Sequence, residues 1–131
     1  MKQWSDSRAA AVRRVVLVDD DAAVRSALTF ALEAEGYVVL SFADAETVLM
    51  QEPAADCYVI DDRLPGGMSG LDLVRELRTN AVTVPAVIIT THPTMAVIHR
   101  AKALGVPIVE KPLIGPALAL TLEGLIGPPR P

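Results

Sequence analysis

The stretch Tyr58-Val59-Ile60-Asp61-Asp62-Arg63-Leu64-Pro65, followed at once by Gly66 and Gly67, decides how the rest of the chain is read. An apolar run that halts at a carboxylate and then meets proline and glycine has the pattern of a buried strand running out into a loop. Asp61 then stands at the rim of a sheet. In an open parallel sheet, ligands bind beyond the carboxyl ends of the strands, so an acid delivered there is placed for chemistry rather than for packing. Taken alone, Asp61–Asp62 is read at least as well as a solvated turn. The neighbouring stretches change that balance.

Upstream, Val15-Val16-Leu17-Val18 is a continuous β-branched-rich run that suits a strand covered on both faces, and it ends at Asp19-Asp20-Asp21. A helix follows, with Asp21 as its N-cap, Val24, Leu28, Ala31 and Leu32 on one face, and Gly36 as its stop. Tyr37 to Phe42 reads as a second strand and Asp44 to Met50 as a short second helix ended by Pro53. After the central strand, Ser69 to Arg78 is helical, with Leu71, Val74 and Leu77 opposite Asp72, Arg75, Glu76 and Arg78. Ala86 to Ile89 is a fourth strand ending at Thr90, Thr94 to Leu104 a fourth helix, and Ile108–Val109 a fifth strand ending at Glu110-Lys111-Pro112. Pro116 to Ile126 is the last helix. Five strands alternating with five helices predict one α/β domain, a doubly wound parallel sheet with helices on both faces. The polar strand ends, Asp19–Asp20, Asp61, Thr90 and Lys111, then fall on one edge.

Composition narrows the function classes. A chain of 131 residues has room for one core, and its 51% apolar, 4% aromatic content makes that core aliphatic. A net charge of −4 offers no basic footprint for nucleic acid, so no direct nucleic acid contact is expected. The single cysteine, Cys57, allows no internal disulfide and sits in an apolar run as a buried, inert thiol. No stretch reads as a membrane span or a signal segment, and a cytoplasmic protein is expected. Residues 1–13 are expected to be a flexible lead-in, 14–126 the domain, and 127–131 a proline-rich tail.

Three carboxylates on one rim repel; two charges about 5 Å apart cost roughly 3 kcal/mol at an effective dielectric of about 20. A hard divalent cation such as Mg²⁺, which takes carboxylate, water and phosphate oxygens, offsets this best. Lys111 adds a positive charge and Thr90 a neutral donor. An acid nucleophile, a metal, an ammonium and a hydroxyl are the parts that spread the charge of a transferring phosphoryl group. Singly, Thr90 reads as an ordinary β-former and Lys111 as a surface lysine; together, in order and at strand ends, they read as a site. His92 and His99 are expected to face solvent, and Met68 and Met95 to pack.

The segments Val16-Leu17-Val18-Asp19-Asp20-Asp21, Ile60-Asp61-Asp62-Arg63-Leu64-Pro65, Ile89-Thr90 and Glu110-Lys111-Pro112 resemble the receiver domain of two-component response regulators. Ordered motifs at strand ends are more specific than any one of them. The resemblance implies a flavodoxin-like sheet of strand order 2-1-3-4-5 and a phosphoryl group received from a sensor histidine kinase or a phosphotransfer protein. It makes Asp61 the phosphoacceptor, because Pro65 follows it by four residues. It makes Asp20, Asp61 and the backbone carbonyl of Arg63 ligands of Mg²⁺, with Asp19 acting through water. Thr90 becomes the switch hydroxyl, and Lys111, before a cis Pro112, the cation that pairs with the phosphate.

The chain also departs from the family pattern. Ile108 stands where an aromatic residue is usual, Gly66–Gly67 adds a residue before Gly70, and the segment from Gly105 to Lys111 is one short. These departures bear on signalling geometry more than on phosphate chemistry. Two other functions remain to be weighed. A phosphohydrolase with an aspartate nucleophile wants a second acid two residues on, where Arg63 stands. A degenerate receiver that serves only as a binding surface is opposed by the intact acids, Thr90 and Lys111. The last helix has apolar residues around its circumference and only Glu123 charged, so the fourth helix, fifth strand and fifth helix are expected to form a homodimer or partner contact.

Overall fold

The strand run that ends at Asp61 is the central strand of a five-stranded parallel sheet of order β2-β1-β3-β4-β5. The computed structural model describes residues 12–113 and 116–129, so residues 1–11 of the expected lead-in and 130–131 of the expected tail lie outside the described residues. In chain order the elements are β1 (Arg14–Val18), α1 (Ala22–Glu35), β2 (Val38–Phe42), α2 (Ala45–Gln51), β3 (Cys57–Asp61), α3 (Gly70–Thr79), β4 (Ala86–Thr90), α4 (Met95–Leu104), β5 (Ile108–Glu110) and α5 (Ala117–Ile126). A 3₁₀ turn, Pro65–Gly67, bridges β3 and α3.

The period-two alternation of side chains divides the apolar strands between two cores. Val16, Val18, Tyr58, Ile60, Ala86 and Ile88 face one side and pack with Ala45 and Val48 of α2, Leu71, Leu73, Val74 and Leu77 of α3, and Ala101 of α4. Val15, Leu17, Cys57, Val59, Val87 and Ile89 face the other, against Leu28 and Leu32 of α1 and Leu118 and Leu122 of α5. β3 and β4 are buried along their whole length, which is why they read as unbroken hydrophobic runs. The sheet edge β2 shows the opposite, with Val38 and Leu40 more than a third exposed.

The helices begin at the caps the sequence supplies. Asp21 accepts from the N–H groups of Ala23 and Val24, Asp44 from Thr47, and Thr94 from Val97. Ser69 and Asp72 form a reciprocal capping box at the start of α3. Glycines in left-handed conformation, Gly36 and Gly105, close α1 and α4.

Three details differ from the sequence expectation. Pro53 does not itself stop α2; Glu52 turns the chain at φ 45° one residue earlier. Ala31 is exposed although its spacing matched Leu28 and Leu32, because the helix packs over the sheet through a narrower stripe. Met95 is 66% exposed rather than packed, since α4 buries only Ala101.

Candidate functional site

The carboxyl ends of β1, β3, β4 and β5 lie side by side, so residues far apart in sequence meet at one edge. β1 delivers Asp19, fully buried, and the next residue, Asp20, exposed. β3 delivers Asp61, 8% exposed. Asp19, Asp20 and Asp61 each offer one carboxylate oxygen, and the three atoms lie within 4.8 Å of one another. Into this group reaches Lys111, just past β5, with Nζ 3.1 Å from Asp19 Oδ2 and 3.4 Å from Asp61 Oδ2. The peptide bond between Lys111 and Pro112 is cis, as the resemblance implies.

Asp61 pairs with Ile89 across the β3–β4 ladder, which sets Thr90 one residue beyond Asp61 on the adjacent strand. Thr90 is 5% exposed, and its carbonyl accepts the Lys111 N–H at 2.8 Å. Arg63 turns back under the site, its N–H donating to Asp61 Oδ1 at 3.4 Å, while its side chain is exposed. Behind Asp61 the N-terminus of α3 comes close: a Cβ placed on Gly70 would collide with the Asp61 carbonyl oxygen. Glycine here is a matter of space rather than of turn conformation.

The titration of these groups follows from their crowding. Burial and the Asp19 charge raise the Asp61 carboxyl above its usual range, with the Lys111 ammonium and the Arg63 N–H pulling it back in part. For Lys111, burial works against the charge, but the hydrogen bond to Asp19 and the charges of Asp61 and Asp19 outweigh it and hold the ammonium above its ordinary value. Among the described residues, Lys111 is the one cation in ion-pair contact with these three acids, and it leaves their negative charge incompletely offset. Three converging carboxylate oxygens are hard donors, and they suit an ion such as Mg²⁺ rather than a soft, thiolate-seeking metal.

Asp19 has little freedom within this arrangement. Its N–H donates to the Phe42 carbonyl, its Oδ1 accepts from the Asp21 N–H at 2.9 Å, and its Oδ2 takes the Lys111 ammonium. The sequence reading passed over a further residue, Arg25 of α1, whose Nη1 donates to the Asp19 carbonyl at 2.7 Å. Its one sequence signal is its place in the first turn of a helix that starts beside the acids, where side chains point back toward the N-terminus. The other groups weighed from the sequence lie where expected: His92 and His99 are exposed, and Cys57 is buried, its thiol pushed up to about 12 by burial and the Asp56 charge.

A model of the response regulator receiver domain family matches residues 15–122. The chain belongs to that family. Among curated proteins, the transcriptional regulatory protein FixJ of Bradyrhizobium diazoefficiens is 33% identical over 115 residues, which make up 86% of this chain and 56% of FixJ. The two-component response regulator PhoP of Pseudomonas aeruginosa is 43% identical over 79 residues, 59% of this chain and 35% of PhoP. The chain thus spans about half the length, or less, of these relatives. Among solved structures, the Vibrio cholerae chemotaxis protein CheY4 superimposes with a TM-score of 0.80 at 27% identity, over 88% of this chain and 99% of that one. The five-stranded parallel sheet in the order 2-1-3-4-5 is therefore the receiver sheet. Among the described residues of this receiver domain, no helix is long and apolar enough to cross a membrane.

Proposed function

We propose that this receiver domain is a phosphoacceptor in a cytoplasmic two-component pathway, taking a phosphoryl group on Asp61 from a phosphohistidine of a sensor kinase or a phosphotransfer protein. A carboxylate oxygen of Asp61 attacks phosphorus; the new O–P bond replaces the donor's P–N bond, whose electrons return to the imidazole. The observation that supports this reading most is the meeting of Asp19, Asp20 and Asp61 within 4.8 Å beside the Lys111 ammonium. Asp20 and Asp61, with the Arg63 carbonyl, are the proposed Mg²⁺ ligands, and Asp19, already tied at both oxygens, acts through water. Mg²⁺, when bound, supplies the positive charge that lets an anionic phosphoryl group approach three acids. Lys111 pairs with an oxygen of the transferred group, and the Thr90 hydroxyl donates to another. The domain is a signalling module, and the only chemistry assigned to it is its own phosphorylation and dephosphorylation.

The output is proposed to run through α4, β5 and α5. Met95, Ile98, Leu120 and Leu125 remain exposed on these helices, at 66%, 38%, 60% and 36%. Such a face suits a second copy of the chain or a protein partner, and light scattering with and without beryllofluoride reads which. Direct contact with nucleic acid is not part of the proposal. The reading as a whole is tested by intact-mass measurement after incubation with acetyl phosphate and MgCl₂. A single phosphoryl adduct on the wild type that is absent from Asp61→Asn supports it; an equal adduct on Asp61→Asn refutes it.

A further inference from the structure

We infer that Arg25 is a positioning residue for Asp20: its guanidinium fixes the peptide plane from which the loosest carboxylate of the acidic site hangs. The inference rests on the Mg²⁺-dependent reading above.

The three acids are not held alike. Asp61 is buried at the end of β3 and contacts Lys111 and the Arg63 N–H. Asp19 is buried and tied at its N–H and at both carboxylate oxygens. Asp21 is spent as the cap of α1, its Oδ1 accepting from Ala23 at 2.9 Å and Val24 at 3.1 Å. Asp20 lies between these two fixed residues, exposed, and its carboxylate takes part in none of these hydrogen bonds. Among the described residues, what aims it is its backbone. The Asp19 carbonyl and the Asp20 N–H belong to one rigid peptide unit, and Arg25 Nη1 grips that carbonyl at 2.7 Å. Arg25 is itself anchored, half-buried in the first turn of α1, with its own N–H on the Asp21 carbonyl at 2.9 Å. The grip therefore closes a small ring from β1 through the acidic loop into α1 and back.

Two effects of Arg25 on a divalent cation have opposite signs, which makes the inference decidable. As a bare positive charge near three acids, Arg25 weakens cation binding, and its removal would tighten it. As the clamp that pre-sets Asp20, it strengthens binding, and its removal loosens it. Loss of a group that orients a metal ligand typically costs about 10–100-fold in affinity, whereas a half-exposed charge in water is heavily screened. The clamp is expected to win.

The experiment is calorimetric titration of MgCl₂ into five purified chains: wild type, Arg25→Gln, Arg25→Lys, Asp20→Ala and the double variant Asp20→Ala/Arg25→Gln. Arg25→Gln is expected to bind Mg²⁺ about tenfold more weakly than wild type, and Arg25→Lys, which keeps one charged donor, within about threefold of it. Because Arg25 acts through Asp20, adding Arg25→Gln to Asp20→Ala is expected to produce no further loss. Equal or tighter binding by Arg25→Gln overturns the inference, as do losses that simply add in the double variant. Should Arg25→Gln fail to fold, Arg25→Met takes its place and is read the same way: Mg²⁺ binding about tenfold weaker than wild type supports the clamp, and equal or tighter binding overturns it. A wild-type chain that binds no Mg²⁺ overturns the functional reading and this inference together.

Discussion

Lys111 Nζ stands 3.4 Å from Asp61 Oδ2 across the width of β4, which lies between the two strands that carry these residues. The pair is half of a three-way contact, since the same ammonium is 3.1 Å from the fully buried Asp19. Replacing Lys111 with Met leaves two adjoining carboxylates without their cation. The variant is expected to lose about 2 kcal/mol of stability by urea unfolding at pH 7.5, the scale of an uncompensated, partly buried charge. Saturating Mg²⁺ is expected to return part of that loss, because the added charge again offsets the acids.

Asp61 contributes in the opposite direction. Its carboxyl is raised by burial and by Asp19, so the folded chain binds this proton more readily than the unfolded chain does. A raised acid costs stability above its folded pKa, and the cost vanishes as pH falls below the unfolded value. Asp61→Asn is therefore expected to stabilise the metal-free chain by about 1 kcal/mol at pH 7.5, with the gain shrinking as pH drops through the carboxylate range. Thermal midpoints measured from pH 3.5 to 8 without metal check this. An unchanged or lower midpoint at pH 7.5 contradicts the electrostatic account of the site.

Gly70 allows α3 to begin directly behind Asp61. Gly70→Ala drives a methyl into the Asp61 carbonyl oxygen and is expected to cost about 2–3 kcal/mol. The strain falls on the backbone of Asp61, so the amide resonances around it are expected to move more than those at the far end of β3. Stability equal to wild type would show that the helix end can retreat freely.

Asp72 joins the cap of α3 to Arg100 of α4, with Arg100 Nη2 2.6 Å from Oδ1. The Ser69 N–H and then the Arg100 guanidinium hold its carboxyl below the usual carboxylate range. A depressed acid contributes stability that is present above the unfolded pKa, about 3.9, and lost as pH falls through the folded value. Asp72→Ala is expected to cost about 1 kcal/mol at neutral pH, mostly as lost capping. Arg100→Gln is expected to cost under about 0.5 kcal/mol, because the pair is open to solvent. Both differences are expected to shrink in urea titrations as pH falls below about 3.9 toward the depressed value of the folded chain.

The sequence carried the fold because its signals were local and consistent. The runs 15–18, 57–60 and 86–89 have the length and β-branched content of strands covered on both faces. Asp21, Ser69 and Thr94 stand where their oxygens reach the first free N–H groups. The site was legible for the same reason: a parallel sheet brings every strand end to one edge, so Asp19, Asp20, Asp61, Thr90 and Lys111 had to converge once the topology was read. What stayed hidden depends on packing. Along the chain only its place in the first turn of α1 hints at Arg25 as the donor to Asp19, and nothing marks Arg100 as the partner of Asp72, which lies 28 residues away. Ala31, which matched an apolar spacing, and Met95, which was expected to pack, face solvent, because a helix covering a sheet buries a narrower stripe than its full apolar face. The steric demand at Gly70 appears only when α3 and the end of β3 are seen together.

The central claim is that these acids form one pocket that takes a phosphoryl group on Asp61 with Mg²⁺. Beryllofluoride, which mimics a carboxylate-bound phosphoryl group, tests it most directly when titrated into ¹⁵N-labelled chain with MgCl₂. The account predicts saturable shifts of the Asp61, Thr90 and Lys111 amides that need both reagents and disappear in Asp61→Asn. Shifts of the same size without Mg²⁺ or in Asp61→Asn, or none in the wild type, would contradict it.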